Sequence, residues 1–152
     1  MAYSSAAGRQ ELLEGIAAAV DELGFAVASL GEAYEQLDDA TADRLEEGLF
    51  RPAQMAYGRS KRAYADFAAR HSLEVRGFEA QAPDVPSTGA HGFIDEAVEA
   101  AAQADAHLAT VQDSPKFLEV GDVELRAALA EVRELVGTLR PRARELVRTL
   151  GR

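Results

Sequence analysis

Apolar side chains at Leu13, Ile16, Val20, Leu23, Val27, Leu30, Tyr34 and Leu37 follow one another in steps of three and four. That seven-residue repeat predicts a helix over residues 5–37 with one buried seam. The same spacing returns as Leu125, Leu129, Val132, Val136, Leu139, Ala143, Leu146 and Leu150, which predicts another long core-facing helix over 122–150. Beside the first seam, Ala19, Ala26 and Ala33 form one flank and Ala17, Gly24 and Gly31 the other. A two-chain zipper carries Glu and Lys at such flanks. Small residues let several neighbours approach closely, so this seam belongs inside a bundle. Glu14, Asp21, Glu22, Glu32 and Glu35 fall on the outer face, and one aromatic, Phe25, falls there with them.

Asp38, Asp39, Ala40 and Thr41 interrupt the repeat, and Thr41 is suited to cap a second helix whose first turns carry Asp43, Glu46 and Glu47. This helix is expected over 41–72, with a bend where the ring of Pro52 faces the carbonyl of Gly48 four residues earlier. Alternatively, the first helix continues to Gly48 and Pro52 opens the next one. The Gly-to-Pro offset recurs at Gly137 and Pro141. A third helix is expected over 92–113, where Ile94, Ala97, Ala101, Ala104, Leu108 and Val111 make a core face with three methyl-sized layers in succession. Residues 75–92, with two prolines and three glycines, form the longest connection. Segments of that length either bind something or cross between distant ends of a fold, here with Val75, Phe78 and Val85 available as packing residues. The expected fold is all-α: a single domain over 1–152, an antiparallel up-down four-helix bundle with a long helix 2 to helix 3 connection and proline-bent helices.

The 152 residues are long enough to bury a core without a staple, and with no cysteine there are no disulfides or thiolate sites. Acids interrupt the apolar stretch of the first 30 residues, so neither an export signal nor a membrane span is expected; the reading is a cytoplasmic protein, and the arginine- and alanine-rich usage suggests a bacterial source. A net charge of −10 argues against nucleic acid as a partner. The charge changes sign helix by helix, as when an antiparallel bundle sets each basic helix beside acidic ones.

The sequence offers little chemistry. His71, His91 and His107 are scattered, and none follows a Glu by three residues as di-iron bundles require. Glu96/Glu99 and Glu131/Glu134 have the spacing of paired magnesium ligands, but on outward faces. Glycine-rich phosphate loops and strand–turn–helix nucleophile elbows are missing. No cofactor is expected and no catalytic residue stands out. Two site candidates remain. One is a small-molecule or lipid cavity in which Tyr57 and Tyr64 face Ala101 and His107 under a cover formed by residues 75–92. The other is a partner face made of Phe25 and an arginine ladder, Arg126, Arg133 and Arg140, spaced every seven residues. The preferred expectation is a non-enzymatic bundle that works by protein contact, with an unknown partner or with itself as a homodimer. Ligand binding is the alternative, and a divalent-metal-dependent hydrolase using the glutamate pairs is the third.

Overall fold

The computed structural model describes residues 2–83 and 89–150, with side chains from Ser5 onward. Every regular element among the described residues is helical. In chain order these are α1 (Ala2–Glu35), α2 (Asp39–Leu45), a π-helical turn (Glu46–Phe50), α3 (Arg51–Arg70), α4 (Gly89–Asp113), α5 (Pro115–Val120), α6 (Val123–Gly137) and α7 (Leu139–Leu150). No helix among them is long and apolar enough to cross a membrane.

The heptad seams do what their spacing requires. Leu13, Ile16, Val20, Leu23 and Leu30 of α1 are buried, as are Leu125, Leu129, Val132 and Val136 of α6 and Leu139, Ala143 and Leu146 of α7. Each large side chain removed from water in this way stabilises the fold by roughly 1.5–3 kcal/mol. Of the other seam positions, Val27, Leu37 and Leu150 are partly buried, and Tyr34 remains 37% exposed.

α1 packs against α3 on one side and α4 on the other, and α6 also packs against both α3 and α4. The circuit α1–α3–α6–α4 closes around the core. Two residue pairs at each contact fix the directions: Gly31 with Phe50 and Gly24 with Tyr57, Gly15 with Val111 and Phe25 with Ala100, Arg59 with Glu131 and Arg70 with Asp122, and Arg133 with Asp105 and Val136 with Ala101. Every neighbouring pair therefore runs antiparallel, while α3 and α4 stand across the core and point the same way. The strict up-down order expected from the sequence does not extend across the middle connection. That segment has to return along the bundle, and its start is strapped down as it does so. Tyr64 Oη accepts the Arg76 backbone N–H at 3.0 Å, the Phe78 ring stands edge-on to Tyr64 at 4.9 Å, and the Arg76 guanidinium pairs with Asp21 of α1. Val85 lies outside the described residues.

Local chemistry sets the element ends. Asp38, not Thr41, is the N-cap of α2: its carboxylate accepts the Thr41 backbone N–H at 2.9 Å. That bond holds the Asp38 carboxyl below its ordinary range. α3 ends with Ser72 in the left-handed region (φ 55°). The Leu73 N–H there bonds back to the Ala68 carbonyl at 2.9 Å, a Schellman closure usually made by glycine. α5, which periodicity did not suggest, starts where Pro115 follows the Ser114 cap. Asp122 caps α6 as expected, with Oδ1 accepting the Leu125 N–H at 2.7 Å.

Both Gly-to-Pro offsets disturb their helices, and the two disturbances meet. Pro52 has no N–H for the Gly48 carbonyl. The helix passes this point by a π turn, in which the Arg51 N–H reaches Glu46 five residues back, and the freed Gly48 carbonyl accepts from Arg142 at 3.4 Å. Pro141 likewise follows a one-residue interruption at Thr138 that divides the expected fourth helix into α6 and α7. α7 then packs on both the π turn and α4.

Candidate contact face

The four residues expected to form a ligand cavity are not brought around one space. Tyr57 and Tyr64 sit on α3, and Ala101 and His107 on α4, across the core. Tyr57 lies against the bare backbone of Gly24, where an added methyl would stand 3.1 Å from its ring, and Lys61 Nζ lies over its other side, 4.4 Å from the centroid. Tyr64 is buried beneath the returning segment. Ala101 instead borders a shallow groove at the α6/α7 junction, with Ala102, Val136, Gly137 and Leu139. His107 is half-buried on α4. The alanine-bearing helix α4 packs against α1, α6 and α7.

The glutamate pairs gather no metal site. Among the described residues no three His, Asp or Glu side chains converge closely enough to hold an ion. Glu131 is ion-paired with Arg59, and Glu99 accepts from Gln103 at 3.1 Å. His71 Nε2 lies 2.9 Å from Asp122, and its ring packs edge-on to Phe67, so it closes the end of α3. His91 is near Asp95, at 3.4 Å, on the first turns of α4.

The arginine ladder divides by what each rung touches. Arg126 lies over the Phe117 ring, 5.6 Å from its centroid. Arg133 is committed inside the molecule: Nε and Nη2 bond to Asp105 at 2.8 and 3.3 Å and Nη1 to Gln112 at 2.8 Å. The hydrogen bond to Asp105 raises its pKa further above the ordinary arginine value. Arg140 makes no ion pair among the described residues, and neither does Arg144 one turn later. Together they form one rim of a groove of about 270 Å³ between α7 and α4. Its floor is Val98, Ala143 and Val147, and its other rim is Asp95 and Glu99.

A larger groove of about 430 Å³ between α3 and α6 provides the contrast. Most of its charges are paired, Arg59 with Glu131 and Arg70 with Glu124 and the adjoining Asp122, while Arg62 and Asp66, which also line it, make no ion pair among the described residues. Across the α4/α7 groove no such pair closes. Phe25 borders α4 from the opposite side. It is half-buried, in a shallow groove with Glu22, Glu96, Glu99, Ala100 and Gln103, where Glu96 Oε2 is buried without a hydrogen-bond partner. Glu99 stands on the ridge between the two grooves. Two of the four predicted face residues, Phe25 and Arg140, thus flank one exposed ridge of α4, while Arg126 and Arg133 are engaged elsewhere.

Sequence reasoning follows the basic run past Pro141 that includes Arg144, but it does not bring Asp95 and Glu99 beside it. The i, i+4 spacing of Arg140 and Arg144 was a usable signal. The pairing of α4 with α7 was not, because it depends on the α3–α4 crossover. The acidic helices α1 and α4 are direct neighbours, contrary to the expected alternation of sign. Their contact is carried by Gly15, Ala26, Ala97 and other small residues, with Glu96 the acid that is partly buried beside it. The chain matches no protein-family model, curated protein or solved structure.

Proposed function

We propose that this all-helical protein works by contact with another polypeptide, through the face that runs from Phe25 across the exposed ridge of α4 to Arg140 and Arg144, and that it does so as an antiparallel-packed four-helix bundle without chemistry of its own. The supporting observation is the uncommitted charge on an apolar floor. Elsewhere on the described surface, arginines largely find acids, carbonyls or aromatic rings within the molecule, whereas Arg140 and Arg144 overhang Val98, Ala143 and Val147 with no ion partner. Guanidinium groups beside an apolar strip are a common composition for protein interfaces, where arginine and aromatic residues carry a disproportionate share of binding.

The test is native mass spectrometry of tagged protein purified gently from its host, comparing the natural chain with a Phe25→Ser/Arg140→Glu variant. The expected result is an added polypeptide mass on the natural chain that is lost from the variant. Added mass of a few hundred daltons in both samples would overturn this reading in favour of ligand binding, and identical polypeptide masses in both would place the contact on another surface.

A further inference from the structure

The α4/α7 groove has a property that names its occupant: it is complementary to itself. One rim is acidic, with Asp95 and Glu99 on α4, and the other basic, with Arg140 and Arg144 on α7. Within a single molecule these charges do not reach one another. Asp95 pairs only with His91, on its own helix, and Glu99 bonds only Gln103, also on its own helix. The geometry points to a second copy of this chain as the partner, docked groove to groove about a two-fold axis that runs along the groove. This rests on the contact reading above and gives that contact a specific partner.

The symmetry follows from the layout of the rims. A two-fold axis parallel to the groove carries the α4 rim of one copy over the α7 rim of the other, on both sides at once. An axis across the groove would set acid against acid and is disfavoured. The pairing can be read residue by residue. Arg140 also borders the neighbouring groove with Ala102 and Asp105, so it lies at the level of Glu99. Arg144, one turn further along an antiparallel helix, lies at the level of Asp95. Glu99 then meets the second copy's Arg140, and Asp95 meets the second copy's Arg144, and the two-fold axis repeats both, so the dimer holds four pairs. Between them Val98, Ala143 and Val147 of each copy close over one another, and the pairs lose part of their solvent screening. The acidic charge of the rest of the chain opposes any association of identical molecules, so the complementary rims are what sets the register.

Sedimentation velocity of the full chain at about 1 to 100 µM, in low salt of about 0.05 M and again at about 1 M, reads the outcome, since screening at the higher value reaches within about 3 Å. A dimer is expected in low salt that weakens by about tenfold or more in high salt. Two rim variants then test the geometry, both on exposed positions, with circular dichroism to check that they fold. Asp95→Arg/Glu99→Arg makes both rims basic and Arg140→Glu/Arg144→Glu makes both acidic, so each alone is expected to be monomeric. An equimolar mixture of the two is expected to form a heterodimer, because each rim then meets its opposite. A natural chain that stays monomeric throughout overturns self-pairing, as does a dimer that both variants retain or a mixture that stays monomeric. None of these results bears on a different polypeptide partner, which the mass comparison of Phe25→Ser/Arg140→Glu decides separately.

Discussion

Asp122 joins two helices through one carboxylate, and its loss should be felt more than that of any other surface charge. Oδ1 accepts the Leu125 N–H at 2.7 Å and an Arg70 N–H at 2.9 Å, and Oδ2 accepts Arg70 Nε–H and lies against His71 Nε2, both at 2.9 Å. The first bond caps α6, and the others clamp the end of α3 to it. Partial burial works to raise the pKa of Asp122, but the bonds from Arg70, Leu125 and His71 and the charge of Arg70 outweigh it and hold the group at about 2, against 3.8 when free. Converted by linkage, that difference is worth about 2 kcal/mol to the folded state. The side chain is only 21% exposed, so solvent screening leaves most of this in place. Because the folded pKa is the lower one, the contribution is full above pH 3.8 and is lost as the pH falls from there towards 2. Asp122→Asn keeps an oxygen for the Leu125 N–H but removes the charge, and should cost about 1–2 kcal/mol at pH 7. Asp122→Ala also loses the cap, and should cost about 2–3 kcal/mol, or a melting shift of about 5–10 °C for a chain of this size. Urea unfolding of the natural chain and Asp122→Asn, followed by circular dichroism at pH 7, 5, 4 and 3, gives the difference directly. It should hold steady down to pH 5 and then shrink, to about half at pH 3. A difference that is absent at pH 7, or that is the same at pH 3 as at pH 7, would refute the assignment of the clamp to a charged Asp122.

Smaller changes test the packing. Gly15→Ala would put a methyl 2.5 Å from Val111 Cγ2 at the α1/α4 contact, and is expected to destabilise by about 1–2 kcal/mol despite the better helix propensity of alanine. Gly58→Ala, on an open face of α3 with nothing within 4 Å, should stabilise by about 0.5–1 kcal/mol, so thermal melts of the two should move in opposite directions. Ser72→Gly relieves a left-handed residue at the end of α3 and should raise stability by about 1 kcal/mol in the same assay.

Much of the architecture was legible because α1 and α6–α7 each bury a single seam, and a seam of Leu13, Ile16, Val20 and Leu23 has only one helical solution. The caps were nearly legible. Asp122 was identified correctly, whereas at the first turn Asp38 took the role given to Thr41, since either can present an oxygen to the next N–H groups and spacing alone does not decide. α5 was invisible because six residues are too few to show a period. The order of neighbours was not legible at all. Whether α3 or α6 faces the alanines of α4 depends on how the chain passes from α3 to α4, and nothing in the amphipathic pattern of α4 specifies the size of its partner. The residues of the candidate cavity lie on α3 and α4 across the core for that reason, and Arg126 and Arg133 of the candidate face meet Phe117 and Asp105, partners that only the tertiary arrangement supplies.

The two proline sites connect the fold to the face. Each was recognisable as a Gly-to-Pro offset, but two separate bends have no evident use. In the folded chain they become one feature. Pro52 frees the Gly48 carbonyl, and the π turn beside it makes room for α7. Arg142, next to Pro141, reaches that carbonyl from α7. The interruption at Thr138 lets α7 turn from the line of α6 onto α4, which puts Leu139 and Ala143 in the core and leaves Arg140 and Arg144 along the groove. The local cost of two broken helical hydrogen-bond ladders is thus coupled to a groove across whose rims no ion pair closes.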